Sequence, residues 1–308
     1  MNKTLGTWDP TDRHVIFLAS NPDMSKSGNL PATHDHLLVA VNDLMNDRTL
    51  DLLEGLIDEG AKVLIDSGVF WLTNEHKRAH GITMNEALAL APSEIAGFDR
   101  LWDRYLEVVQ RIGDRAWGYM ELDQGGAEHK RITRGRLNDL GVFPIPVWHP
   151  LNDGADYFDE LAETHDRVCL GNMVQADNPT RVRLLHTLWE KHRKYPDLWV
   201  HTLGMNPNDW FAALTVDSAD ASTWIGPIRW GVFVHSALLA PVKEKLSYEY
   251  TYSYKGNLHH DGVDGNYNVA LEMAAISMSQ NQRSWRHWVE QVEAEFGEPP
   301  YPPEGWPA

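Results

Sequence analysis

Short apolar runs rich in β-branched and aliphatic residues recur along the chain, separated by stretches with helical spacing or helix-forming composition. The runs are His14–Ala19, Lys62–Ile65, Ala116–Glu121, Phe143–Trp148, Arg167–Gly171, Trp199–Gly204, Leu214–Asp217 and Ile228–His235. Between them, His36–Gly60, Met84–Ile112, Glu128–Leu140, Ala155–Thr164, Thr180–Tyr195 and Pro207–Ala213 read as helices. Eight strands alternating with helices predict an α/β fold, a single (β/α)8 TIM barrel.

The barrel is expected over about residues 14–235 of one domain, 1–308, with a C-terminal helical extension from about 236. In that extension, helices are expected near Ala237–Leu246, Tyr267–Ser279 and Ser284–Phe296, around the aromatic stretch Tyr248–Tyr254. The final EPPYPPEGWPA is too rich in proline to be helical and reads as an extended tail.

Polar residues fall at or just past the C-terminal ends of these strands: Asp66, Asp123, His149, Asn172, His201 and Asp217. In an eight-stranded barrel those ends converge on one mouth, where this architecture carries its active sites. Each residue alone has an ordinary explanation, such as a helix cap for Asp66 or a turn for Asp123 beside Gly125 and Gly126. Together they favour a site. Carboxylates on separate strands suit chemistry at an acetal-like carbon, one as nucleophile and one shuttling a proton, as in retaining glycosyl transfer.

The chain has 308 residues, enough for one full core, and no apolar run long enough to span a bilayer. With no secretory signal pattern at the N-terminus, the expectation is a cytoplasmic protein with no membrane partner. Its one cysteine, Cys169, excludes an internal disulfide and reads as a buried strand residue. The net charge of −17 argues against broad attraction to phosphate backbones. Basic clusters at Lys130, Arg131, Arg134 and Arg136, at Arg181–Lys194, and at Arg283 with Arg286 read as solvated helix faces. Ser25–Asn29 reads as a small, polar surface loop. Oligomeric state leaves no mark in the sequence.

Several short motifs, in order, resemble the tRNA-guanine transglycosylase superfamily. Asp66-Ser67-Gly68-Val69-Phe70 resembles its Asp-Ser-Gly-Gly-Phe/Tyr loop, and Met120-Glu121-Leu122-Asp123 a strand end whose aspartate reads the base. Leu170-Gly171-Asn172-Met173 resembles a strand end that contacts the base through backbone, and Val200-His201-Thr202-Leu203-Gly204-Met205 the following strand. Val216-Asp217-Ser218 sits where that family has its nucleophile. The resemblance implies Asp66 and Asp217 as catalytic residues. It further implies that Ser67, Gly68, Phe70, Asp123, His149, Gly171, Asn172, His201 and Gly204 bind substrate. The stretch from Asp217 to Trp224 resembles the Asp-Ser-Ser-Ser-Trp pattern of the shorter DpdA-type branch, which inserts 7-deazaguanine bases into DNA. Three residues separate the halves of that pattern here, leaving Asp220 as a second candidate nucleophile.

By this resemblance the chain is a pentosyltransferase that exchanges guanine in DNA for a 7-deazaguanine base such as preQ0, through a covalent glycosyl-enzyme intermediate and without a redox or nucleotide cofactor. A tRNA-directed transglycosylase, a hydrolytic N-glycosidase or nucleosidase, and a non-catalytic nucleic-acid-binding barrel stand as alternatives. One cysteine cannot build the zinc site of the tRNA enzymes; His259, His260 and Asp261 are the remaining metal-ligating types close together, and adjacent residues face one ion poorly. Phe70 and Trp71 read either as stacking residues or as the packed start of a helix, and Trp224 carries the same ambiguity.

Overall fold

In the computed structural model, which describes residues 3–205, 215–225, 232–237, 248–253 and 264–297, the apolar runs form a parallel sheet curled into a barrel. Its strands are β1 (Val15–Ala19), β2 (His36–Ala40), β3 (Lys62–Asp66), β4 (Gly118–Tyr119), β5 (Val147–Trp148), β6 (Arg167–Leu170), β7 (Trp199–Thr202) and β8 (Ser218–Ala221). All pair in parallel, and β8 lies against both β1 and β7. A bridge between Met120 and Ile145 joins β4 to β5 and closes the ring.

Helices fill the connections, as parallel strands require. Helices α1 (Pro22–Ser27) and α2 (Leu30–Thr33) lead into β2, and α3 (Asp47–Asp58) leads into β3. After β3 come α4 (Val69–His80), α5 (Met84–Ala89) and α6 (Phe98–Ile112); α7 (Gly126–Asp139), α8 (Ala155–Thr164) and α9 (Asn178–Lys194) follow β4, β5 and β6. A long C-terminal helix, α10 (Asp264–Phe296), packs against β1 and α2. There Gln282 Oε1 accepts a hydrogen bond of 2.8 Å from the Ile16 backbone N–H, and Trp285 and Trp288 are buried.

Alternation within each strand divides two cores. Residues such as Ile16, Leu18, Val63 and Ile65 face the helices, whereas Val15, Phe17, Leu38, Leu64, Val147, Cys169 and Trp199 fill the barrel. The strands' N-terminal end is plugged by aromatics. Trp8 packs on Trp117 and Trp199, and the buried Arg167 guanidinium lies 4.8 Å from the Trp8 ring centroid and 5.1 Å from that of Trp117.

Several expected elements differ. His36–Ala40 is a barrel strand, not the start of a helix, and the helix of that segment begins only at Asp47. Of the expected strand Ile228–His235, the described part, Val232–His235, is outside the barrel: β9 (Val232–Ala237) pairs antiparallel with β10 (Tyr248–Ser253), and residues 228–231 lie outside the described residues. The strand expected at Leu214–Asp217 runs instead over Ser218–Ala221. Met84–Ile112 is two helices with a 3-10 turn between, and the two expected C-terminal helices are one. Ser25–Ser27 is the end of α1 rather than loop. The expected helix Pro207–Ala213, most of Ala237–Leu246, and the proline-rich tail lie outside the described residues. Among the described residues no helix is long and apolar enough to cross a membrane.

Candidate active site

Opposite the tryptophan plug, at the C-terminal ends of the strands, is a cavity of about 220 Å³. Three carboxylates on three different strand ends line it: Asp66, Asp123 and Asp220.

Asp66 is the last residue of β3. The backbone N–H groups of the next two residues, Gly68 and Ser67, favour its ionised form. Gly68 makes that turn with φ 79°, and a Cβ there would lie 2.9 Å from Asn42 Oδ1, so both conformation and space require glycine. Burial, reinforced by the nearby charges of Asp123 and Asp220, pushes Asp66 up to about 7 despite those two N–H groups. A carboxyl group so placed exchanges its proton near neutral pH.

Asp123 follows β4 and is held from two sides: Ser67 Oγ donates to Oδ1 at 3.2 Å, and His149 Nε2 lies 2.8 Å from Oδ2. Burial alone would raise its pKa, but the His149 hydrogen bond and the charges of His149 and Lys130 hold it below the usual carboxylate range. Asp66 and Asp123 are thus driven apart in protonation, the arrangement that divides acid and base roles between paired carboxyls. Because each carboxylate oxygen accepts more than one hydrogen bond, Asp123 retains acceptor capacity toward the cavity.

His149 stands on a scaffold of buried charge. Its backbone N–H donates to Asp153 Oδ2 at 2.8 Å, and the same oxygen pairs at 2.6 Å with Lys130 Nζ, which also donates to the Val147 carbonyl. Beneath lies a second buried pair, Arg134 Nη1 to Glu121 Oε2 at 2.7 Å, with Glu121 Oε1 accepting from the Val147 N–H. Lys130 and Arg134 are therefore not a solvated helix face, although Arg131 on the same helix is exposed and pairs with Glu160. Sequence reading missed Glu121, Lys130 and Asp153 as supports, since only tertiary packing buries them.

Gly171 and Asn172 continue β6 into the cavity wall. The His149 ring lies so close to Gly171 that a side chain there would overlap it. Asn172 adopts φ 49°, and its amide group bonds Asn152 Oδ1 at 2.6 Å. Gln124, another residue the sequence did not suggest, ties α4 to the C-terminal end of α5 by accepting from Thr73 and donating to the Ala87 and Leu90 carbonyls.

The largest correction concerns Asp217. It precedes β8 at the end facing the tryptophan plug, is 1% exposed, and does not line the cavity. Its Oδ2 accepts from the Val200 N–H at 2.7 Å, and Arg13 Nε lies 3.3 Å from Oδ1. Asp220, three residues further on and inside β8, does line the cavity. Its Oδ1 is fixed by the Gly204 N–H at 3.0 Å and by His201 Nε2 at 3.1 Å. His201 is itself a supporting residue, with Nδ1 2.6 Å from Ser218 Oγ and its ring stacked on Trp199. The structure thus brings Asp66, Phe70, Asp123, His149, Gly171, Asn172 and Gly204 together around one space, with Ser67, Gly68 and His201 immediately behind.

Phe70 lies on the rim and is 52% exposed; its neighbour Trp71 is 53% exposed, so neither is a core residue. Trp224 is buried, with Nε1 donating to the Ala19 carbonyl, and does not line the cavity. Cys169 is buried inside the barrel. Among the described residues no group of three or more His, Cys, Asp or Glu is placed to hold a metal ion, and His259, His260 and Asp261 lie outside them. With a single cysteine the chain cannot build the cysteine-based zinc site of the family it resembles.

The chain matches no family model and no curated protein. Among solved structures it is similar to a 4-hydroxy-2-oxoglutarate aldolase/2-deydro-3-deoxyphosphogluconate aldolase, at 10% identity and a TM-score of 0.42, over 87% of this chain and 98% of that one.

Proposed function

We propose that this cavity is the reaction centre of a pentosyltransferase that exchanges guanine in DNA for a 7-deazaguanine base such as preQ0. The observation that carries the reading is the convergence of three carboxylates from separate strands on one cavity, with Asp66 poised near neutrality and Asp123 held ionised. That combination supplies the parts a double displacement at a glycosidic carbon needs.

In this reading the reacting nucleotide is turned out of its stack, because C1′ is otherwise shielded. With Oδ1 fixed by Gly204 and His201, Asp220 Oδ2 attacks C1′ as the bond to guanine N9 breaks. Asp66, protonated, gives its proton to the departing base. The incoming deazaguanine then returns a proton from N9 to Asp66 while N9 attacks C1′ and releases Asp220. Two inversions retain configuration, and each step leaves Asp66 in the form the next one needs. Asp123 accepts the N1–H and exocyclic amine of the base, a donor pair that adenine lacks. The Asp123–His149 contact keeps that carboxylate ionised for the purpose.

Nuclease digestion and mass spectrometry of nucleosides from DNA and, separately, tRNA of cells expressing the protein test the reading. A deazaguanine nucleoside in DNA that disappears with Asp220→Ala is the expected result. Its appearance in tRNA alone, or in neither, overturns the assignment.

A further inference from the structure

A second cavity, of about 420 Å³, lies against the same strand-end turn as the first. Gly68 lines it, as do Asn42 and Asp43 from the segment after β2, Trp71 from α4, and Arg100 from α6. The reaction described above makes no use of it.

The first turn of α4 separates the two spaces. Phe70 lines the carboxylate cavity and Trp71 the second one, and both side chains are more than half exposed. Consecutive residues on a helix point about 100° apart, so one turn presents an aromatic ring to each cavity. An exposed indole lining a cavity offers a flat face on which a nucleobase can stack. The turn is held in place by Gly68, whose lack of a side chain lets Asn42 approach.

Arg100 supplies the charge. Most arginines of this acidic chain are committed to carboxylates or carbonyls, as with Arg104, Arg111, Arg115, Arg131 and Arg134. Arg100 is exposed and has no ion-pair partner among the described residues. An exposed ring, a free guanidinium, and amide and carboxyl groups from Asn42 and Asp43 match the parts of a nucleotide: base face, phosphate and base edge.

We propose that the second cavity binds the nucleotide adjacent to the reacting one, its base stacked on Trp71 and its phosphate paired with Arg100. The inference rests on the base-exchange reading and adds to it a reason for acting on a strand rather than a free nucleoside. It also gives an acidic protein a local point of attachment to a polyanion.

The test uses the full chain and two probes. A fluorescein-labelled single-stranded decadeoxynucleotide with one central guanine is titrated by anisotropy, and free guanine by calorimetry. The expectation is that Trp71→Ala and Arg100→Ala each weaken decanucleotide binding about tenfold, that Trp71→Phe restores it to near wild type, and that guanine affinity stays within about twofold throughout. Unchanged decanucleotide affinity in both alanine variants, with guanine still bound, overturns the second site and leaves the base-exchange reading standing. Failure of the wild-type chain to bind guanine overturns the base-exchange reading, and the second site falls with it.

Discussion

The His149 ring rests directly on the α-carbon of Gly171: a Cβ at that position would lie 2.4 Å from His149 Cδ2 and 2.6 Å from Nε2. No side chain fits between them, so the glycine sets where the imidazole stands and thereby its contact with Asp123. Gly171→Ala is expected to fold, because Gly171 follows the strand and needs no special φ, but to displace His149 from Asp123. A displacement of this order costs about 100-fold in activity. Base-exchange kinetics beside a thermal melt check this; wild-type activity with an unchanged melt would refute the role given to Gly171.

Asp217 and Asp220 part over chemistry rather than stability. Asp217→Ala leaves the buried Val200 N–H without its acceptor and removes the Arg13 partner, so a loss of about 1–3 kcal/mol is expected in urea denaturation, with specific activity retained in the folded fraction. Asp220→Ala also strips the Gly204 N–H and His201 Nε2 of their partner and should cost a comparable amount of stability, but unlike Asp217→Ala it should abolish exchange in the fraction that remains folded. A pair of denaturation curves and specific activities decides between the two aspartates.

Asp66 links pH to both stability and rate. An unfolded aspartate titrates near 3.8 and the folded one at about 7, so between those values the folded chain holds a proton that the unfolded chain lacks. The Asp66 contribution to stability is therefore fully present at low pH and declines as pH rises through that window. Asp66→Asn should remove this part of the slope. In the rate, kcat/KM for the guanine-containing strand should fall above about pH 7 as the acid form is lost, and Asp66→Asn should lose exchange at all pH values. Denaturation midpoints and pH–rate profiles of both proteins provide the comparison.

Lys130 and Asp153 form a fully buried ion pair 2.6 Å apart. Removing one partner strands the other charge in a fully buried site, so Lys130→Ala is expected to cost about 3–5 kcal/mol. Because Asp153 also holds the His149 N–H, the folded fraction should lose activity as well. Urea denaturation checks the first effect and specific activity the second.

The fold class was legible because six of the eight barrel strands coincide with apolar runs that any burial on both faces demands. The other two failed for physical reasons. His36–Ala40 is followed at once by a 3-10 turn and α3, so its apolar residues merge with those of the helix into one helical-looking pattern. Ser218–Ala221 reads Ser-Ala-Asp-Ala, a poor strand by propensity, and becomes one because β1 and β7 pair with it from both sides. That four-residue displacement is why Asp217 was favoured over Asp220. Asp66, Asp123, His149 and Gly171 were visible because each ends, or lies within four residues past the end of, a strand whose position was read correctly. The Lys130–Asp153 and Arg134–Glu121 pairs were hidden because nothing local distinguishes a buried lysine from a solvated one; tertiary packing alone buries them.

The account stands most directly on incorporation of labelled guanine into a guanine-containing DNA strand by the purified chain, measured as label retained on the polymer. It predicts incorporation by the wild-type protein, none by Asp220→Ala or Asp66→Asn, and persistence in the folded fraction of Asp217→Ala. Release of free guanine without incorporation, or undiminished incorporation by Asp220→Ala, would contradict it.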